Sequence, residues 1–401
     1  MKKLTSAAIL LMLCSALAFG ADFGLLIDQT VEYENITLPD KTFTYTPSVT
    51  PWFSWDGGKG VSVFLSAQAS MKYINIDDGV SGNDGWIKPA VLPELSRFQL
   101  SYRDGDFSLD SGRIWYADTL GIVASGLFDG ACLGKRIGPA DMRVGLYYTG
   151  LQFKETAKVM MTASDYADYG KPWDYDNWGA YFASKRAMGA LRVDLPLMAY
   201  HNLSFEALAQ FDLNGADESL HSQYAEAKVD FFTENNMALS AGLLFEAMQT
   251  DGELNAAFGA FASLGMEVPG SLNDGLKISV KYSSGNWNDT VKGIMPITAL
   301  EQGMVFLQSI DSLCVIRAAY DVRLLASVFA EASFAYFIHT GSNDGIDGNL
   351  HGAEFWAALG WQPFNDLRFV VGGGAFFPSM GNINSDADPV WKLSAGLVIS
   401  F

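Results

Sequence analysis

The sequence predicts an all-β fold, a single antiparallel β-barrel closed within a membrane, and three observations predict it. Apolar and polar residues alternate with period two over runs of about 10 to 13 residues, longer than the five or six of soluble sheets. They match the roughly nine to eleven residues a tilted strand needs to cross hydrocarbon. The connections between runs are short and long in turn, and the chain opens on an export-type leader and stops on an aromatic residue.

The leader reads Met-Lys-Lys, an apolar run over 7–17, then Ala18-Phe19-Gly20, the charged, apolar and small-residue order of a secretory signal, with cleavage expected after Gly20. Lipidation at Cys14 is disfavoured because bulky Leu13 stands where that cleavage wants a small side chain. The expected organisation is therefore a Sec-type signal over 1–20 and one barrel domain over 21–401. No Pro/Ser-rich linker, charge block or composition shift divides the rest of the chain.

Composition excludes a nucleic-acid binder: the formal charge is -19, with 18% charged residues and 40 glycines. Cys132 and Cys314 lie far apart in sequence with no CxxC or Cys/His spacing, so neither a metal site nor a disulfide is expected and no cofactor is implied.

From Val61 to Tyr73 the alternation is unbroken, with Val61, Val63, Leu65, Ala67, Ala69, Met71 and Tyr73 on one face and Ser62, Phe64, Ser66, Gln68, Ser70 and Lys72 on the other. It recurs over 203–212, 276–283, 326–337, 367–377 and 393–401. Tight connections are expected at 56–60, 104–106, 138–141, 233–236, 322–323 and 363–366, and long polar loops at 74–89, 154–177, 285–300, 340–349 and 379–389. This gives about eighteen strands, both termini on the short-turn, periplasmic side and the long loops outside. Aromatics gather at the run ends: Phe53, Trp55, Phe231, Trp361 and Phe401 toward one rim, Tyr45, Tyr73, Tyr336 and Phe377 toward the other. A soluble sandwich also alternates, but uniform strand length and hairpin parity argue against it. The apolar stretch over 324–338 is too short for a spanning helix and contains Glu331. An unpaired edge in hydrocarbon costs several kcal/mol per polar group, so the runs 23–34 and 390–401 are expected to pair.

The stretch RFQLSYRDGDFSLDSGRIWYADTLGIVASGLFDG over 97–130 resembles the strand-turn-strand, "GR", then "FDG" pattern of alginate-export and related substrate-specific porins, and the last fifty residues are similar too. Ile114 stands where members commonly carry Gln after the arginine. The resemblance implies an eighteen-stranded monomeric barrel whose lumen is gated by inward-folded loops and lined by arginines, Arg113 among them. Alternation from Phe107 and Leu109 turns Arg113 outward instead, so a lumen position requires a bulge near Ser111-Gly112.

If Phe98, Leu100 and Tyr102 face lipid, Arg97, Gln99, Ser101 and Arg103 face inward. The same logic turns Arg143 inward and puts Arg186 and Arg192 on one face, which makes a basic arc. Glu206, Asp212, Glu226, Asp230, Glu246, Glu331 and Glu354 make an acidic arc opposite. Such a transverse field biases passage by charge, although mutual neutralisation would give the same pattern. Lys185 fits neither face.

The loops are acidic, with Asp77, Asp78, Asp84, Asp165, Asp168, Asp174, Asp176, Asp344, Asp347, Asp386 and Asp388, but no EF-hand spacing appears and they read as solvated. His201, His221, His339 and His351 are accompanied by no nucleophile motif, so no enzyme is expected. The reading is an outer-membrane, porin-like channel for small polar or charged solutes, anionic saccharides among them. Its expected partners are outer-membrane lipid and, through Phe401, the barrel assembly machinery. A surface adhesin or structural barrel is the alternative.

Overall fold

The computed structural model describes residues 20–36, 41–77, 85–87, 91–198, 201–215, 219–233, 236–250, 252–268, 270, 274–342 and 345–401. Residues 1–19, where the leader is expected, and the loop aspartates Asp78, Asp84 and Asp344 lie outside them.

Eighteen strands form one closed antiparallel barrel. They are β1 (Ala21–Glu34), β2 (Lys41–Gly58), β3 (Val61–Ser70, continued by Tyr73–Asp77), β4 (Gly85–Ile87, continued by Leu92–Asp104), β5 (Phe107–Ala117), β6 (Ser125–Ile137), β7 (Ala140–Tyr148), β8 (Arg186–Met198) and β9 (His201–Asp212). The second half is β10 (Leu220–Phe232), β11 (Met237–Thr250), β12 (Glu253–Val268), β13 (Asp274–Ser283), β14 (Leu313–Leu325), β15 (Val328–His339), β16 (Leu350–Phe364), β17 (Leu367–Phe377) and β18 (Val390–Ser400). Each strand pairs with the next, and β1 pairs with β18 from Leu26↔Ser400 to Glu34↔Lys392, which removes the edge as hydrocarbon demands. The last residue extends the seam: Phe401 N–H donates to the Leu25 carbonyl at 2.9 Å and Leu25 N–H to the Phe401 carbonyl at 3.1 Å.

Alternation sorts the wall. On β7, Leu146 is 68% exposed and points out, while Tyr147 beside it is 6% exposed and points in. Outward apolar side chains such as Leu133, Leu146 and Leu243 are exposed, so the outer surface of the barrel is apolar.

Several connections differ from expectation: the long loops expected over 154–177 and 285–300 extend over 149–185 and 284–312. The β14–β15 turn lies at 326–327 rather than at 322–323, because Asp321 and Arg323 owe their polarity to the inward face of an extended strand. Much of 74–89 is not loop: Ile74 pairs with Ile87 and Ile76 with Gly85, so the β3–β4 hairpin continues past the main barrel ladder.

The packed core sits inside the barrel. Ile122, Val123, Ile294, Ile297, Val305 and Ile310, all from loops, are fully or almost fully buried against inward wall residues such as Phe128, Leu208, Leu244 and Phe337.

Candidate functional site in the barrel lumen

Loop A (118–124) joins β5 to β6 and folds inward because Asp118 organises its backbone. The carboxylate accepts N–H bonds from Leu120 (3.2 Å), Ile122 (3.0 Å), Val123 (3.0 Å) and Ala124 (2.6 Å), and Gly121 takes the left-handed φ of 62° that the tight turn needs. Two wall carboxylates then hold the loop. Glu206 accepts from Tyr116 Oη at 2.7 Å, Thr119 N at 2.7 Å and Thr119 Oγ1 at 2.8 Å, and Glu226 accepts from Leu120 N at 3.1 Å.

Loop C (284–312), between β13 and β14, is held in the same way. Glu246 accepts from Met295 N at 2.9 Å, and Tyr224 Oη donates to the Met295 carbonyl at 2.6 Å. Glu354 accepts three N–H bonds, from Met304 (2.9 Å), Val305 (2.8 Å) and Phe306 (2.8 Å). Gly303 makes room, since a Cβ there would lie 2.5 Å from Glu354 Oε2. The Phe306 ring stacks on Phe376 at 4.5 Å and meets Phe337 at 4.6 Å and His351 at 5.2 Å. Loops A and C are joined by Ile297 N donating to the Val123 carbonyl at 2.7 Å.

Loop B (149–185) carries two short helices, α1 (Lys154–Ala157) and α2 (Ala163–Gly170). A capping box between Thr162 and Asp165 starts α2. Lys154, 5% exposed, donates from Nζ to the carbonyls of Asp168 (2.9 Å) and Lys171, and burial lowers its pKa from the ordinary lysine value. Fully buried Arg186 ties α2 to the wall through Asp165 (2.5 Å), Asp212 (2.8 Å) and the Leu220 carbonyl (3.1 Å). Loop B reaches loop C through Ala299 N donating to the Lys158 carbonyl at 2.8 Å and the Lys158–Glu301 ion pair at 2.8 Å.

Within the wall next to the base of loop A, a cavity of about 460 Å³ is lined by Arg97, Arg103, Arg143, Arg192, Asp110, Cys132, Tyr147 and Glu206, among others. Arg103 is neutralised by Asp110, with Nη2 at 2.9 and 2.7 Å from the two carboxylate oxygens, and Arg192 by Asp194 at 3.0 Å. Arg97 donates to Gln99 Oε1 at 3.1 Å and lies 5.3 Å from the Phe64 ring centroid. Neither Arg97 nor Arg143 has an ion-pair partner among the described residues. Glu331 lies elsewhere, with Asp321 and Arg323 at a recess of about 480 Å³ near the short turns.

Four sequence-derived lumen assignments need correction. Arg186 is an internal strut with no exposed surface, and Glu226 and Glu354, 5% and 2% exposed, are covered by the loop backbone they bind. Arg113 is on the outer side: the β4–β5 register runs unbroken from Phe98↔Arg113 to Asp104↔Phe107, so the bulge a lumen position requires is absent there. The acidic arc is accordingly in large part an anchoring system for loops A and C. Sequence reasoning missed loop A; the signal for it was the apolar triplet Ile122-Val123-Ala124 in a connection that opens on Asp118 and turns at Gly121. Among the described residues no cluster of three or more His, Cys, Asp or Glu side chains is placed to hold a metal. His339 and His351 approach to 5.7 Å between ring centroids, and His351 packs with Phe306 at 5.2 Å.

No protein-family model matches the sequence, and no curated protein matches it. Solved structures do match in fold. OpdO of Pseudomonas aeruginosa is 12% identical over 95% of this chain and 97% of its own, with a TM-score of 0.62. The outer membrane protein OpdK of the same organism is 10% identical over 95% and 98%, with a TM-score of 0.60. OccAB4 of Acinetobacter baumannii is 10% identical over 95% and 98%, with a TM-score of 0.59. These likenesses carry the eighteen-stranded barrel and give the alginate-export resemblance no support.

Proposed function

We propose that the protein is an outer-membrane channel for small polar or charged solutes, with passage set by loops A, B and C and by the basic side of the lumen. The observation that carries this reading is the cavity at the base of loop A, lined by Arg97 and Arg143, neither of which forms an ion pair among the described residues. In a narrow, low-dielectric passage such charges concentrate anions and raise their entry rate. Arg103 and Arg192, each paired, contribute shape and hydrogen-bond donors more than net charge. Glu206 fixes the loop, and Glu331 bears on the short-turn mouth. The fold shared with an outer membrane protein supports the location, and a barrel filled by anchored loops favours conduction over adhesion or catalysis.

The test is a charge reversal. Arg97→Glu combined with Arg143→Glu is expected to shift the reversal potential across a salt gradient toward cation preference while leaving heat-modifiable migration unchanged, because lumen substitutions tune selectivity without disturbing the lipid face. An unchanged reversal potential in the assembled variant would mean that these arginines do not govern passage.

Assembly belongs to the same proposal. Phe401, 72% exposed, ends the strand that closes the seam, and an aromatic at this interface anchors the rim and suits recognition by the assembly machinery. Deleting Phe401 is expected to cut the amount of barrel in the outer membrane while export across the inner membrane continues. Normal accumulation of the truncated chain would remove the terminal residue from the assembly signal.

A further inference from the structure

We propose that Arg113 is a clamp on the outer side of the barrel that sets the position of loop B, and through it the constriction inside. The proposal rests on the channel reading only for its effect on passage; the clamp itself is tested separately. Arg113 shares the face of β5 that carries Trp115, 62% exposed, opposite the face whose Ile114 and Tyr116 are buried in the lumen core. Its cross-strand partners are Phe98 on β4 and Asp129 on β6, and Phe98 is itself an exposed outward residue. A guanidinium on this side of a membrane wall would be costly if left to lipid, yet Arg113 is only 5% exposed.

Its donors show what covers it. Nε and Nη2 each lie 2.9 Å from one oxygen of Asp129, a bidentate pair. Nη1 donates to the Leu95 carbonyl at 2.5 Å, and Nη2 also donates to the Leu151 carbonyl at 3.0 Å. One side chain therefore joins β4, β6 and the start of loop B. Stability of the wall does not require a charged residue here, because two well-packed apolar side chains commonly replace a buried ion pair without loss. A leucine has no donor for the carbonyls of Leu95 and Leu151, so the specific output of Arg113 is its grip on the loop.

That grip has a route inward. Next to Leu151, Gln152 donates from Nε2 to the Leu127 carbonyl on β6. The chain then enters α1 and reaches Lys158, which bonds loop C through Ala299 N and Glu301. Loop C is the segment held by Glu246 and Glu354. Arg113 is thus a positioning residue that never meets the lumen.

The experiment uses the full-length barrel in vesicles and two variants. Arg113→Leu with Asp129→Leu removes the pair without stranding a charge, and Arg113→Lys keeps the charge but loses the planar fork. Trypsin cleavage within loop B, after Lys158, is followed against cleavage after Lys59 in the β2–β3 turn, together with single-channel recordings. The expected result is loop-B cleavage about tenfold faster in the double variant and intermediate in the lysine variant, with cleavage at Lys59 unchanged and more frequent current fluctuations. Loop-B cleavage at the wild-type rate overturns the clamp, as does equal acceleration at Lys59, which would mean general loosening of the barrel. Failure of both variants to assemble also overturns it, by making the pair a requirement of the wall. Faster loop-B cleavage in a barrel whose wild-type form passes no current would uphold the clamp and refute the channel.

Discussion

Replacing Glu354 with alanine is expected to raise the single-channel conductance about twofold while the barrel still assembles, because the substitution releases loop C from the wall. Glu354 is 2% exposed, and its carboxylate satisfies the N–H groups of Met304, Val305 and Phe306 together. Hydrogen bonds to a charged group contribute roughly 1.5–3 kcal/mol each, and a buried donor left unmade costs about 1–3 kcal/mol. Losing three at once exceeds the few kcal/mol that hold a loop in one arrangement, so residues 303–306 would leave for water. Stacking of Phe306 on Phe376 opposes release, and Glu354→Gln, which keeps one acceptor oxygen, should fall between wild type and Glu354→Ala. Planar-bilayer recordings of the three proteins check the order. Equal conductance in all three would show that the aromatic contacts alone keep loop C in place.

Asp118→Ala is expected to have the larger effect on selectivity. Its carboxylate accepts four backbone N–H bonds within loop A, and of these donors Leu120 N also reaches Glu226. Loop A follows Tyr116 and Ala117 and is held by Glu206, three residues that line the cavity with Arg97 and Arg143, and it also carries loop C through the Val123 carbonyl. Without Asp118 the lumen should widen beside the arginines, and anion preference should fall toward that of bulk electrolyte as the charges become screened across a wider passage. Because the loops are bonded to each other, combining Asp118→Ala with Glu354→Ala should give less than the sum of the two conductance changes. Strict additivity would mean that loops A and C move independently.

The strands, their outward faces and the closing seam were legible in the sequence because period-two alternation is a direct consequence of a two-sided wall. Arg113 shows how far that signal can be relied on: the family-like motif pointed inward and alternation from Phe107 pointed outward, and the unbroken register follows alternation. What alternation cannot say is what an inward side chain meets. Glu226 and Glu354 have the spacing of lumen residues, yet each is covered by loop backbone that only the tertiary structure brings there. Arg186 was equally opaque, since its partner Asp165 lies 21 positions away on a loop helix. The inward fold of loop C was hidden for a compositional reason: its glycines, asparagines and serines read as solvated loop, although Ile294, Ile297, Val305 and Ile310 are the residues that fill the barrel. The β14–β15 turn was misplaced because a polar pair on an inward strand face has the same composition as a turn.

The most direct test of a conducting, arginine-sided lumen uses a thiol already present. Cys132 lines the cavity with Arg143, whereas Cys314, between the buried inward residues Leu313 and Val315, is on the outer face of the wall. In a planar bilayer with a salt gradient, the wild-type protein should give discrete current steps with anion preference. A small negatively charged thiosulfonate should then reduce both current and preference, an effect absent in Cys132→Ser. Folded, heat-modifiable protein that inserts without current, or current indifferent to modification of Cys132, would contradict the account.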